Sequence, residues 1–195
     1  QQNNITQPHD LIGKRIMASR DQGWVQLMAV FLQQHIDTNL VTVIPHTWNN
    51  NDILNGHADA MSGYSSVEVN QLEARGVKVN TIMPFDYGID FYGDILFALK
   101  DKIARDPALT ERFIDASFKG WEYAMSHPQE IAAYILTLPG VKERGVTLNS
   151  LLEEEKKMEP LVMPGLVEVG HMNESRWEHM LKVYQSLNIV PKEAS

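Results

Sequence analysis

The stretch Asp86-Tyr87-Gly88-Ile89-Asp90-Phe91-Tyr92-Gly93-Asp94-Ile95-Leu96-Phe97 decides how the chain is divided. Aspartates and tyrosines interrupt its apolar residues, whereas a buried strand is typically a continuous apolar run or a clean alternation. Its two glycines let the backbone approach another group closely. Aromatic faces beside carboxylates are typical of a cradle for a flat, polar small molecule. The alternative is a β-bulge or a strand crossover, in which glycine turns the chain and aspartate caps the turn.

The sequence before this stretch alternates between strand and helix patterns, which indicates an α/β unit. Predicted strands are Lys14–Ala18, Leu40–Pro45, Ala58–Ser62 and Lys78–Met83, and predicted helices are Trp24–His35, Asn49–Gly56 and Ser66–Arg75. Because strands separated by helices are joined by right-handed crossovers, we expect a parallel sheet flanked by helices.

The sequence after Asp94 is mainly helical in pattern. Predicted helices are Ala108–Met125, Gln129–Leu136, Leu148–Met158 and a last helix capped by Asn173, with Pro160 and Pro164 interrupting the chain between the last two. Trp121 and Trp177 lie on apolar helical stripes, so both are predicted to be core residues.

Composition excludes several classes of partner. The 195 residues carry a formal net charge of -8 and contain 44% hydrophobic residues, a content typical of a globular protein. An acidic chain lacks the basic face that nucleic acid or anionic lipid requires, so we expect neither as a partner. No apolar run is long enough for direct membrane insertion of this segment.

No pattern in the chain indicates catalysis. Cysteine is absent, which removes disulfides, thiolate metal sites and cysteine chemistry. The seven histidines show no metal-ligand spacing, and there is no serine nucleophile elbow or phosphate-binding glycine loop. We therefore expect no cofactor, no metal and no catalytic residue.

Several phrases give the chain a family resemblance. In order, they are Asp10–Arg15, Asp59–Ser65, Asp86–Phe97, Gly120–Met125 and Leu166–Asn173. Together they resemble the NMT1/THI5-like (SsuA/THI5-type) substrate-binding proteins, which have the periplasmic-binding-protein type II fold. They are most similar to the version fused to membrane-bound sensors, the diguanylate cyclases and histidine kinases.

The resemblance implies a fold class and a division into lobes. The fold is expected to be α/β and periplasmic-binding-protein type II-like, with one sheet lobe flanked by helices and a helical remnant of the second lobe. Residues 9–92 would form lobe 2, and residues 93–195 the hinge return and the helical part of lobe 1. The opening half of lobe 1 is expected to lie outside this segment, which begins at Gln1 and reads as processed or excised. Self-association, as a homodimer, through the exposed lobe 1 helices is expected.

The resemblance also implies a function. We expect non-catalytic binding of a small molecule, pyrimidine-like or otherwise, by the periplasmic sensor domain of a membrane-bound signalling protein, with ligand-driven closure about a hinge near Asp86–Gly93. One alternative is a free periplasmic protein delivering a pyrimidine or thiamine precursor, a sulfonate or a similar solute to an ABC importer. An enzyme of thiamine-pyrimidine synthesis is disfavoured, because those enzymes depend on a cysteine-rich motif.

Two loops of the first section are candidate ligand sites, because ligands bind beyond the carboxyl ends of the strands in open α/β sheets. The first loop offers Ser19, Arg20 and Trp24, at the family's anion- or ring-binding position, and its alternative is an ordinary strand-to-helix connection. The second offers Tyr64 for ring stacking and Ser62 or Ser65 for hydrogen bonding, of which Ser65 is the chosen candidate. Its alternative is a tyrosine packed on the following helix.

The opening stretch supplies the remaining candidates. Asp90, Tyr92 and Asp94 would share one face by the period-two rule for strands. They suit a cationic or amino-bearing ligand, and replacing Asp90 or Asp94 with alanine is expected to abolish binding without unfolding the protein.

Overall fold

The structure is a computed structural model that describes residues 4–20 and 22–194. The chain forms two compact units. The first contains the residues up to Phe91 together with those from Asn173 onward, and the second is Tyr92–Met172. The chain therefore crosses from one unit to the other twice.

A small parallel sheet organises the first unit. Its strands are β1 (Arg15–Met17), β2 (Thr42–Ile44) and β3 (Ala60–Met61), in the order β2-β1-β3. Both pairings are parallel, and Ile16 of β1 lies opposite Val43 on one side and Ala60 on the other. The predicted parallel sheet is confirmed, although each strand is shorter than its predicted range.

An arginine fork attaches β3 to β1. The Arg15 guanidinium donates from Nε to Asp59 Oδ2 at 3.1 Å and from Nη2 to Asp59 Oδ1 at 3.2 Å, and Nη2 also donates to the Gly56 carbonyl at 2.8 Å. The backbones of the two residues add two more bonds, since Arg15 N–H donates to the Asp59 carboxylate and Asp59 N–H donates to the Arg15 carbonyl, each at 2.9 Å. Because β3 pairs over only two residues, this fork supplies much of its fixed register.

Among the described residues, four α-helices complete the first unit, and the first of them packs against the sheet. They are α1 (Gln22–Gln33), α2 (Asn51–Leu54), α3 (Asn70–Ala74) and, from the far end of the chain, α8 (Glu174–Ser186). A π-helical turn, Ser65–Val69, leads into α3. Phe31 of α1 is fully buried and packs in one cluster with Leu11, Ile16 and Val41. The predicted helix Trp24–His35 is confirmed, and it places Phe31 in the core.

The fourth predicted strand is wrong. Residues 78–83 form neither helix nor strand, and a short 3-10 helix, Pro84–Tyr87, follows them. Edge strand β3 has only two paired residues, which gives a further strand little backbone to pair with. Ile82 nevertheless packs on the core cluster. The apolar pattern of this segment therefore reflects packing of Ile82 and not hydrogen bonding to a neighbouring strand.

The second unit is helical wherever the structure assigns it regular structure. Its α-helices are α4 (Lys100–Arg105), α5 (Pro107–Ser126), α6 (Pro128–Ile135) and α7 (Leu148–Val162). Asp106 caps α5 by accepting from Leu109 N–H at 2.9 Å, and Pro128 opens α6, where its missing N–H leaves no bond unmade. The predicted helices are confirmed.

Apolar side chains in this unit are largely exposed. Ala132 is its buried hydrophobic residue among those described, and α5 has no buried residue. Trp121 is 49% exposed, and Trp177, in the first unit, is also exposed, so the prediction that both are core residues is wrong. Helical spacing shows that apolar side chains share one face of a helix, but it does not show whether another part of the protein packs against that face. The expected self-association through these helices stays a prediction.

Helix α7 runs further than predicted. Pro160 lies inside it and does not end it, although proline removes one backbone hydrogen bond. The helix ends at Met163, whose N–H donates to the Glu159 carbonyl at 2.8 Å and whose φ is 52°. A left-handed residue therefore stops the helix, in place of the proline.

The last helix begins where predicted. Asn173 caps α8 through its side-chain oxygen, which accepts from Arg176 N–H at 3.3 Å. Sequence analysis grouped this helix with the second section, whereas its contacts place it in the first unit. The identification of the two sections as family lobes stays a prediction. Among residues 4–20 and 22–194, no helix combines the length and apolar character that crossing a bilayer requires.

Replacing Phe31 with alanine should destabilise the protein by about 3–5 kcal/mol, because a fully buried ring leaves a cavity in the core. The measurement is the free energy of unfolding from urea denaturation followed by circular dichroism. The control is Phe97→Ala. Phe97 is 88% exposed, so its loss should change stability by less than about 0.5 kcal/mol. Similar losses in the two variants would contradict this burial pattern.

Candidate functional site

The carboxyl ends of the three strands lie at one edge of the sheet, because all three run parallel. Backbone bonding continues slightly beyond them: Ala18 N–H donates to the Ile44 carbonyl at 3.1 Å, and Ser62 N–H to the Met17 carbonyl at 2.9 Å. The loops after β1, β2 and β3 therefore start side by side. We call the loop residues 18–20, 45–49 and 62–65 the carboxyl edge.

The loop after β1 holds the first predicted site residues. Ser19 is half-buried and Arg20 is exposed. Trp24, in the first turn of α1, is half-buried and packs against the core cluster. Part of its side chain is thus committed to packing, and the rest is accessible to a ligand. Asp21, the expected cap in the alternative interpretation, lies outside the described residues.

The loop after β3 holds the second predicted pair. Tyr64 is 60% exposed, and its N–H donates to Glu68 Oε2 at 2.7 Å. Gly63 lies so close to Glu68 that an added Cβ would meet that side chain at 3.0–3.2 Å, so a larger residue here would have to displace Glu68 by a few tenths of an ångström. Ser65 is half-buried and opens the π-helical turn. The tyrosine ring is therefore presented outward on a closely packed turn.

The loop after β2 supplies an aromatic pair that sequence analysis missed. The rings of His46 and Trp48 are stacked, with centroids 4.2 Å apart and planes 23° from parallel. His46 Nε2 lies 2.8 Å from the Ser62 carbonyl, and His46 Nδ1 accepts from Trp48 N–H at 2.9 Å. The available signal was position alone, since Pro45-His46-Thr47-Trp48 directly follows a predicted strand.

A small polar network anchors this aromatic loop. Thr47 Oγ1 donates to Asp52 Oδ2 at 2.6 Å, and His57 Nδ1 lies 3.1 Å from Asp52 Oδ1. The hydrogen bond from Thr47, with that from His57, holds the pKa of Asp52 below its ordinary value, because both bonds favour the carboxylate. The loop is thereby tied to the start of α2.

The remaining predicted residues do not form a strand. Residues 88–94 are irregular, so the period-two argument for a common face of Asp90, Tyr92 and Asp94 has no basis there. Asp90 belongs to the first unit, while Tyr92 and Asp94 belong to the second. Their roles in binding stay predictions.

Asp90 is paired within the first unit. Its Oδ2 lies 2.8 Å from Nη2 of Arg176 on α8. The same helix makes a second contact close by, where His179 Nε2 lies 3.0 Å from the Gly88 carbonyl. Gly88 has φ 76°, a left-handed conformation that favours glycine. Residues 88–90, which come just before the chain leaves the first unit, are thus bonded to α8, which begins just after the chain returns to it.

The second unit has a separate open groove of about 490 Å³. It is lined by Glu122, Met125 and Ser126 of α5 and by the loop residues 164–169. No predicted site residue lies in it. Among the described residues of the chain, no group of three or more His, Asp or Glu side chains is placed to hold a metal ion.

A comparison with protein families identifies the chain's relatives. Residues 1–131 match the family model described as NMT1/THI5 like. The chain belongs to the NMT1/THI5-like family. This family has the periplasmic-binding-protein type II fold, and its members are mostly small-molecule binding proteins, typically extracytoplasmic. The match covers the whole carboxyl edge and ends within α6, so it does not include the Leu166–Asn173 phrase. A search of curated proteins finds no match.

Replacing Thr47 with valine should raise the pKa of Asp52, because the carboxylate loses its strongest hydrogen bond. A lowered folded-state pKa means that Asp52 stabilises the fold above its unfolded value of about 3.9, and that this contribution is lost as pH falls through the folded value. Carbon NMR of the Asp52 carboxyl checks both proteins. A wild-type midpoint at or above about 3.9 would be inconsistent with the network, and Thr110→Val is the control.

Exchanging the charges of Asp90 and Arg176 should test their pairing. Asp90→Arg and Arg176→Asp should each lower the free energy of unfolding, and the double variant should recover most of the loss. The expected coupling is about 0.2–1 kcal/mol, because both side chains are partly exposed. A double-mutant cycle in urea measures it, and additive losses would show that the pair contributes nothing.

Proposed function

We propose that this chain is the non-catalytic solute-binding domain of a membrane-bound, periplasmic sensor protein, in which ligand binding closes the two lobes about a hinge. The observation that supports this proposal most is the carboxyl edge. There, the parallel sheet of an NMT1/THI5-like chain presents exposed polar and aromatic side chains beyond the ends of its strands. That is where open α/β sheets bind ligands.

The proposed ligand contacts combine charge, hydrogen bonding and ring surface. Arg20 would meet an anionic or acceptor group, Ser19 and Ser65 would hydrogen-bond, and Tyr64 and the uncommitted part of Trp24 would contact a ring. Asp90, Tyr92 and Asp94 are proposed for an amino or cationic group. Asp90 can act so only by sharing or releasing Arg176, which makes it a weaker candidate than the carboxyl edge.

The sensor assignment rests on the phrases Asp86–Phe97 and Leu166–Asn173, which resemble the fused sensors more than the transport proteins. Lobe closure would bias a hinge equilibrium and pass the change to the following membrane segment. The absence of cysteine supports binding over thiamine-pyrimidine synthesis, since that chemistry uses a cysteine-rich motif in the relatives that perform it.

The gene on both sides of this segment distinguishes the two binding roles. We expect the reading frame to continue into a membrane helix and then a cyclase or kinase domain. A stop codon shortly after Ser195, with a signal peptide upstream, would instead assign the chain to an ABC importer.

Binding itself is tested on the full-length protein. We expect a thermal-shift screen of pyrimidines, sulfonates and related solutes to find a ligand whose affinity falls roughly 2- to 12-fold in Tyr64→Ala, because a ring contact is lost. The matched control is Tyr134→Ala, in the second unit, since Tyr134 is 61% exposed and Tyr64 is 60% exposed. Equal affinities of the two variants would contradict a site at the carboxyl edge.

A further inference from the structure

Trp48, on the loop after β2, combines an exposed ring with an unusual backbone. It is 63% exposed although one ring face is stacked on His46. The opposite face is therefore left to solvent. Its φ is 59°, in the left-handed region that bulky side chains disfavour. Backbone strain of this kind concentrates at functional sites, where the surroundings enforce it.

The surroundings of Trp48 enforce that conformation from both sides. On one side, Trp48 N–H donates to His46 Nδ1 at 2.9 Å. On the other, Asn49 N–H donates to Thr47 Oγ1 at 3.3 Å, and the same hydroxyl is held by Asp52 at 2.6 Å. The indole thus sits on a loop whose geometry is fixed without a ligand, and preorganisation of this kind lowers the entropic cost of binding.

His46 connects the loops that follow β2 and β3. Since Nδ1 accepts from Trp48 N–H, the ring proton belongs on Nε2, which then donates to the Ser62 carbonyl at 2.8 Å. That carbonyl lies two residues before Tyr64. The His46 imidazole therefore holds the loop after β2 to the loop after β3, and it also stacks on one face of the Trp48 indole.

We propose that Trp48, positioned by His46, is a specificity-determining residue that stacks on planar-ring solutes and favours them over saturated rings of the same size. The reason is that an exposed, immobilised indole face offers a flat π surface, against which a planar ring packs fully and a puckered ring does not. This inference rests on the proposed function, because it assigns a ligand class to the same carboxyl edge.

The test uses matched ring pairs and ring-removing variants of the full-length chain. The probes are uracil against dihydrouracil and benzoate against cyclohexanecarboxylate, followed by saturation-transfer NMR. Wild-type protein should bind the planar member of at least one pair more tightly. Trp48→Asn should weaken that binding roughly 2- to 12-fold, and asparagine tolerates the left-handed backbone, so the fold is kept. Trp48→Phe should retain most of the preference.

The role of His46 is tested by whether it acts through Trp48. His46→Phe keeps a ring for stacking but loses both hydrogen bonds. It should weaken planar binding in the wild-type background by more than it does in Trp48→Asn, where only the loss of the Nε2 bond to the Ser62 carbonyl still matters. Equal weakening in the two backgrounds would overturn action through Trp48. A single-tryptophan protein, with every tryptophan except Trp48 replaced by phenylalanine, should show faster fluorescence anisotropy decay of Trp48 after His46→Phe. Unchanged decay would overturn the positioning role.

The outcomes separate this inference from the proposed function. The inference would be overturned if planar and saturated rings bound with equal affinity. It would also be overturned if Trp48→Asn and the control Trp121→Ala changed the affinity equally. Either result would leave solute binding itself supported. If no probe binds and the ligands found by the wider thermal-shift screen have no planar ring, planar-ring selection is again overturned. If that screen finds a planar ligand, its binding should weaken in Trp48→Asn, and unchanged binding would overturn the inference. If neither assay finds a ligand, the proposed function fails as well.

Discussion

The Arg15–Asp59 fork is the constraint that sets the register of the sheet in the first unit. Strand β3 pairs over two residues, too few for backbone bonds alone to fix its register. The guanidinium holds Asp59 and the Gly56 carbonyl together, while the backbones of Arg15 and Asp59 bond to each other. The position of β3 then determines where Ser62 and Tyr64 emerge. The carboxyl edge is thus placed by a polar contact at the opposite end of the strands.

A second long-range contact fastens the end of the chain to its middle. Asp90 and Arg176 are paired although 86 positions separate them in sequence, and Phe91 lies near Tyr184 with ring centroids 5.6 Å apart. Together with buried Ile89, which packs against Val183, these contacts make α8 part of the first unit. The residues that approach the first crossing are therefore held by structure that follows the second.

Local signals predicted most of the fold. The helices predicted at Trp24–His35 and Gln129–Leu136 and the cap predicted at Asn173 each depend on a few neighbouring residues, and the structure has all three within two residues of the predicted positions. The strand at Lys78–Met83 failed because a strand also needs a partner, which no local pattern reveals. At the candidate site, the position of Tyr64 after a predicted strand identified it, whereas the features that distinguish Trp48, its stacking on His46 and its left-handed backbone, leave no local pattern in the sequence. The Asp90–Arg176 pair could not be predicted, because nothing local links the two residues.

The double crossing has a consequence for how the protein is made. Synthesis proceeds from the amino terminus, so the sheet and α1 leave the ribosome long before α8 does. Throughout that interval the whole of the second unit is being produced, and Ile89 has no Val183 or Leu187 to cover it. The first unit is therefore completed only after the second has been synthesised, although its own synthesis begins before that of the second. A nascent chain released before residue 173 would carry an uncovered apolar surface, and such surfaces are what chaperones recognise and what leads to aggregation.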